Sequence, residues 1–101
     1  MPPPPSDVLS GARGVVRLLN TAGGRVLCLA GDVDAAAVAA FLRRYGREPA
    51  RVECIDAGSV TALSPAAREL LLDHLEAAER AGRTVTVRRS APVDRELTGS
   101  R

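Results

Sequence analysis

The sequence contains few of the side chains that nucleic-acid binding and catalysis depend on. Aromatic residues make up 2% of the 101 residues, there is no lysine or tryptophan, and there is one histidine. The scarcity of aromatic side chains removes the stacking platforms of single-strand nucleic-acid binders. The net charge is only +2, and arginine supplies all of the basic side chains, which is typical of a GC-rich genome. A nucleic-acid partner is therefore not expected.

Long apolar runs are also missing. No stretch approaches the roughly 20 apolar residues of a membrane helix, and the first residues lack the basic and apolar regions of a signal peptide. We therefore expect a cytoplasmic protein without membrane insertion. Two cysteines are too few for a disulfide scaffold. Cys28 and Cys54 lie in apolar runs, so we expect small buried residues on neighbouring strands that approach each other without bonding.

The length and a hydrophobic content of 46% fit one globular domain. The segment 1–12 contains four consecutive prolines and almost no core residues, so we expect an extended or disordered leader. Residues 13–101 then form the single domain.

The most informative stretch is 52–82. Residues 52–55 predict a short strand that Asp56 ends, and Gly58, Ser59 and Thr61 predict a polar turn. Ser64 is a preferred N-cap, and the proline after it suits the first helical position, so a helix is predicted over 65–81. Ligands and partners of open α/β sheets dock at the carboxyl ends of strands, which points to the segment 56–68 as the site.

The remaining segments predict strands at 15–20, 25–30 and 84–88, and helices at 35–45 and 93–98. Asp34 is a suitable N-cap for the helix at 35–45, and Gly46 is its natural end. The predicted order is β-β-α-β-α-β-α. Right-handed crossovers then give an α/β fold with a four-stranded mixed sheet and both long helices on one face.

Enzyme chemistry has little support in the sequence. No phosphate-binding loop, paired-cysteine motif or catalytic triad is present, so we expect a non-enzymatic protein without a cofactor. Asp32, Asp34 and Asp56 could gather at one sheet edge as a metal or acid-base site, but capping and turn roles are favoured for Asp34 and Asp56. His74 is expected to be a surface or half-buried helix residue, because no second ligand has a suitable spacing.

Four short segments have the composition of sequence motifs. Residues 31–34 read GDVD, 55–63 read IDAGSVTAL, 81–83 read AGR and 93–99 read VDRELTG. In this order they resemble the STAS domain, which occurs in bacterial anti-sigma factor antagonists and in the cytoplasmic tails of sulfate transporters. GDVD is similar to the family's G-E-(L/I/V)-D signature, and IDAGSVTAL is similar to L-D-L-S-G-V-T-F-I. AGR matches the end of the second family helix, and VDRELTG resembles the V-x-x-x-L-x-x-T-G close without its spacing.

The resemblance implies a protein-binding module that binds the kinase-like domain of an anti-sigma factor, or another STAS protein. The family usually has D-S-S-G, with a phosphorylated second serine, where residues 64–67 read S-P-A-A. Ala66 has no hydroxyl, so the usual switch is not expected. Ser64 is the first remaining candidate for phosphorylation, and Thr61 and Ser59 are lesser ones. The expected partner-binding residues are Asp34, Asp56, Ser59, Thr61, Ser64 and Arg68. A small-ligand or nucleotide sensor of the same fold, or a structural subunit of a multi-STAS assembly, is the alternative.

Overall fold

The computed structural model describes residues 14–99, so the expected leader at 1–12 lies outside the described residues. The elements are β1 (Gly14–Thr21), β2 (Gly24–Val33), α1 (Ala35–Tyr45), β3 (Cys54–Leu63), α2 (Pro65–Arg80), β4 (Thr86–Arg89) and α3 (Ala91–Gly99). This order confirms the predicted β-β-α-β-α-β-α fold.

The sheet has the strand order β1-β2-β3-β4. β1 and β2 form an antiparallel hairpin, in which Thr21 pairs with Gly24 and two residues make the turn. Gly24 has a φ of 120°, a conformation that residues other than glycine rarely adopt. β2 pairs with β3, and β3 with β4, in parallel. The sheet is therefore mixed, as the sequence predicts.

Strand β3 is longer than predicted, and the polar turn at Gly58, Ser59 and Thr61 is wrong. β3 continues to Leu63 and pairs with β2 over most of that length. The register between the two strands shifts at two places, and at each place β3 contains one extra residue. Bulges of this kind accommodate glycine and polar side chains in a strand. The residues that suggested a turn are therefore bulged strand residues.

The C-terminal boundaries also differ from the prediction. β4 is Thr86–Arg89, about two residues later than expected, and α3 begins at Ala91 instead of residue 93. Pro92 lies in the first turn of α3 and does not interrupt the helix, because that turn needs no amide hydrogen at that position. The Ser90 carbonyl accepts the Asp94 amide at 2.9 Å and so closes the first helical turn.

One face of the sheet carries the hydrophobic core, and α1 and α2 pack on that face. Leu27, Leu29 and Ile55 on adjacent strands have at most 1% of their surface exposed. The core is completed from the helices by side chains that include Val38, Phe41, Leu70, Leu71 and Val93. Full burial of one such side chain stabilises the fold by roughly 1.5–3 kcal/mol. The opposite face is not covered by any described helix.

His74 lies inside this core with 3% of its surface exposed, so the predicted surface or half-buried position is wrong. Its Nε2 accepts the Ala50 amide at 3.1 Å, and its Nδ1 lies 2.9 Å from the Leu70 carbonyl oxygen. Since Nε2 accepts, the proton of the neutral ring is on Nδ1, which donates to Leu70. Burial lowers the pKa of His74, while the Leu70 carbonyl and the Asp73 carboxylate act in the opposite direction. The imidazole is thus a neutral, fully bonded link between α2 and the segment before β3.

Protonation of His74 should destabilise the fold. Because the folded-state pKa lies below the ordinary 6.5, the unfolded chain binds the proton more tightly. The stabilisation is complete above about pH 6.5 and is lost as the pH falls through the lower folded-state value. We expect the free energy of unfolding, measured by urea titration, to fall between pH 7.5 and pH 5.

The matched control is His74→Gln, which keeps a polar side chain but cannot titrate. His74 is the single histidine of the chain, so the variant should be less stable at pH 7.5 and should show a flatter pH profile over this window. An unchanged slope in His74→Gln would assign the pH dependence to other groups.

Candidate functional site

The carboxyl ends of β2 and β3 meet at one edge of the sheet. Val33 and Leu63, the last residues of the two strands, are paired. The Ser64 amide donates to the Val33 carbonyl at 3.0 Å, which ties the start of α2 to the end of β2. Asp34 and Ser64, each one residue past its strand, therefore begin α1 and α2 side by side.

Both predicted N-caps are confirmed. Asp34 Oδ1 accepts the Ala37 amide at 2.9 Å, and Ser64 Oγ accepts the Ala67 amide at 3.2 Å. Both capping residues have extended backbone, as N-caps do. Two helix N-termini, each with a partial positive charge, are thereby brought to the same edge. Such an edge favours an acidic or hydrogen-bond-accepting partner surface.

Ser59 and Thr61 lie on an exposed segment of β3 beside these helix N-termini. β4 pairs with β3 only as far as Ala57, so no described strand pairs with the outer side of residues 58–63. Ser59, Thr61 and Ala62 are all exposed. The helix α3 packs against β3, so these residues offer a partner their exposed side chains.

Arg68 completes the first turn of α2, where its amide donates to the Ser64 carbonyl at 2.9 Å. Its side chain is half-buried. Ala66, the position without a hydroxyl, packs with its methyl group against the core. The first turn of α2 therefore places Arg68 one turn after the capping serine, and it has an apolar contact where the resemblance would place a phosphorylated serine.

Asp56 is the predicted site residue that the structure does not bring to this edge. It lies mid-strand on the uncovered face, between Cys28 of β2 and Arg88 of β4. Asp56 Oδ1 accepts the Gly58 amide at 3.2 Å, and Oδ2 lies 3.9 Å from the Arg88 guanidinium. The expected hydrogen bond from a nearby backbone amide to Asp56 is confirmed, although it lies within a strand. Asp56 is separate from the group formed by Asp34, Ser64 and Arg68.

Cys28 and Cys54 are half-buried on the uncovered face, so their expected burial in the core is wrong. Both thiols are free. Cys54 pairs with Val26, which lies two residues before Cys28. The spacings of a parallel sheet therefore place the Cα atoms of Cys28 and Cys54 about 8 Å apart. A disulfide requires a shorter distance. Burial and the Asp56 carboxylate raise the pKa of Cys28 against the opposing effect of Arg17.

Two cavities lie away from the carboxyl edge. One of about 170 Å³ lies between α1 and α2, where Leu42, Leu70 and His74 line it with Arg47, Glu69 and Asp73. The other, of about 580 Å³, is an open depression between the second half of α2 and residues 82–85. Asp34, Ser59, Thr61, Ser64 and Arg68 line neither cavity. Within residues 14–99 no three His, Cys, Asp or Glu side chains are grouped as metal ligands would be.

Three residues have roles that the sequence did not reveal, and two of them lie on the sheet. Arg17 and Arg88 flank Cys28 and Asp56 in one row across the uncovered face. His74 was missed as a core hydrogen-bonding residue. His74 lies four residues after Leu70, so it continues the apolar stripe of α2. This spacing is the sequence signal for its burial.

Removal of the Ser64 hydroxyl should weaken the start of α2. We expect Ser64→Ala to lower the free energy of unfolding by about 1 kcal/mol and Ser64→Gly by only a few tenths, because glycine leaves the amides open to water. Ser59→Ala, on the exposed strand edge, is the control and should change it by less than about 0.5 kcal/mol. Equal effects of Ser64→Ala and Ser59→Ala in urea titration would contradict the capping role.

The chain was also compared with known proteins. No protein-family model matches it, and no significant match to a curated protein or a solved structure was found. Within residues 14–99, no helix is both long and apolar enough to cross a lipid bilayer. The carboxyl edge of the sheet and the sequence resemblance are therefore the features that point to a function.

Proposed function

We propose that the chain is a non-enzymatic, cytoplasmic protein-binding module that resembles an anti-sigma factor antagonist and binds the kinase-like domain of an anti-sigma factor. The docking surface consists of Asp34, Ser59, Thr61, Ser64 and Arg68. The observation that carries this proposal is the adjacency of two helix N-termini and the exposed side chains of Ser59 and Thr61 at the carboxyl ends of β2 and β3.

The shape and chemistry of this surface support a macromolecular partner. Ser59 and Thr61 are exposed, and their hydroxyl groups can donate or accept hydrogen bonds. The positive ends of α1 and α2 and the Arg68 guanidinium complement an acidic surface.

Pockets for small ligands typically enclose 300–1,000 Å³. One cavity in that range lies at the far end of α2, away from the docking surface.

Constitutive binding is part of the proposal. The Ala66 methyl group packs against the core, and the one hydroxyl of the first turn, on Ser64, is engaged with the Ala67 amide. A phosphate at this turn would add nearly two negative charges at a helix N-terminus and repel an acidic partner surface. Without an accessible serine hydroxyl at position 66, the partner kinase has no ordinary substrate group on this turn.

Charge reversal at Arg68 should weaken the complex. We expect Arg68→Glu to raise the Kd for a purified anti-sigma kinase-like domain about tenfold, equivalent to about 1.4 kcal/mol, and to reduce the salt dependence of association. Isothermal titration calorimetry measures this. The matched control is Arg80→Glu in the last turn of α2, which carries the same charge change outside the docking surface. Equal weakening by both variants would show that the overall charge of the protein, and not the position of Arg68, causes the effect.

The absence of a phosphorylation switch can be tested by intact-mass measurement after incubation with the same kinase and ATP. We expect no added phosphate and an unchanged Kd, because Pro65 and Ala66 occupy the positions that the kinase must recognise. A stoichiometric phosphate that is lost in Ser64→Ala would show that Ser64 is the switch and would overturn constitutive binding.

A further inference from the structure

The sheet surface that faces away from α1 and α2 is uncovered within residues 14–99, and we name it the open face. Val15 and Leu19 of β1 lie on it with 41% and 38% of their surfaces exposed. They are two of the three large hydrophobic residues exposed in the described part of the chain. Alternation along the paired strands gives the open face Val15, Arg17, Leu19, Val26, Cys28, Ala30, Cys54, Asp56, Thr86 and Arg88.

The charges of the open face are arranged in one row that crosses the sheet. Arg17 pairs with Cys28, Cys28 with Asp56, and Asp56 with Arg88. Cys28 on β2 therefore lies midway between a guanidinium on β1 and a carboxylate on β3. The Asp56 side chain is 39% exposed, and its oxygen is 3.9 Å from Arg88, the outer limit of an ion pair. Asp56 can thus accept a second, closer cation.

We propose that the open face is the interface of a homodimer, in which two copies pack face to face about a two-fold axis that runs along β2 over Cys28. This rotation places β1 of each copy over β3 of the other. Arg17 then meets Asp56 of the second copy, and the same contact is formed twice because the interface is isologous. Leu19 lies over Cys54 of the second copy, so an exposed apolar side chain meets a half-buried one.

The charge pattern favours a second copy over an unrelated partner. A rotation about β1 would stack Arg17 on Arg17 of the second copy, and a rotation about β3 or β4 would place it beyond the sheet. Only the axis over Cys28 brings both opposite charges together at once. Sheets pack about 10 Å apart with their strands nearly aligned, so residues close to the axis are least displaced by the sheet twist.

The size of the open face sets the strength of the dimer. About the β2 axis, three strands of each copy overlap, and β4 lies outside the contact. Three strands about 4.8 Å apart and three rows of side chains about 6.6 Å apart cover roughly 14 by 20 Å. Two such faces bury about 600 Å² in total, which is the size of a weak, transient contact. The dimer is therefore weak and reversible. This inference does not rest on the proposed function, because Arg17, Leu19 and Cys28 lie outside the docking surface.

Sedimentation velocity of the full chain between 5 and 500 μM tests the proposal. We expect a concentration-dependent dimer that Leu19→Asp and Arg17→Glu each weaken at least tenfold and that Arg17→Asp combined with Asp56→Arg restores. Arg80→Glu is the charge-matched control and should leave the dimer unchanged. Circular dichroism melts confirm that each variant is folded. A chain that stays monomeric throughout, or a dimer indifferent to Leu19→Asp, would overturn the proposal.

Thiol crosslinking locates the axis without depending on the charge variants. Two Cys28 residues face each other on the axis, whereas two Cys54 residues are about 14 Å apart, from the strand and sheet spacings. A bis-maleimide with a two-carbon linker should therefore give covalent dimers with Cys54→Ser protein and none with Cys28→Ser protein. The reverse pattern would exclude this axis. Monomeric protein in which Cys28 resists maleimide would show that residues 1–13 cover the open face, and it would also exclude the dimer.

Discussion

The parallel pairing of β2 with β3 is the constraint on which the rest of the structure depends. It brings Val33 beside Leu63 and so starts α1 and α2 at the same edge of the sheet. The same register aligns Cys28 with Asp56 on the opposite face. A shift of one residue in this pairing would exchange the two faces, because side chains alternate along a strand. One strand register therefore produces both the sheet edge with the helix N-termini and the charged row on the open face.

The parts of the fold that the sequence predicts are those with a local cause. Asp34 and Gly46 delimit α1, and Ser64 and Gly82 delimit α2, because caps and left-handed residues act within a single turn. The strand order follows from the general preference for right-handed crossovers. The candidate site could be predicted to the same extent, since the positions of Asp34 and Ser64 depend on these local signals.

The errors concern features that depend on pairing between distant segments. Ser59 and Thr61 are turn-forming residues by composition, and only their pairing with β2 makes them part of a strand. His74 is polar, and it is buried because the amide of Ala50, 24 residues away, supplies its hydrogen-bond partner. Asp56 was grouped with Asp34 because both follow apolar strands. The bulges extend β3 beyond Asp56 and leave its carboxylate in mid-sheet.

The short pairing of β4 has a consequence for the order in which the fold opens. β4 contacts β3 through only four residue pairs, and Val93 is the fully buried side chain that holds the following helix. Segments with few pairs and few buried contacts open before the rest of a domain does. The segment 86–99 is therefore expected to detach first. Its release would expose the outer edge of β3 from Cys54 onward, so partial unfolding and strand-mediated association share one surface.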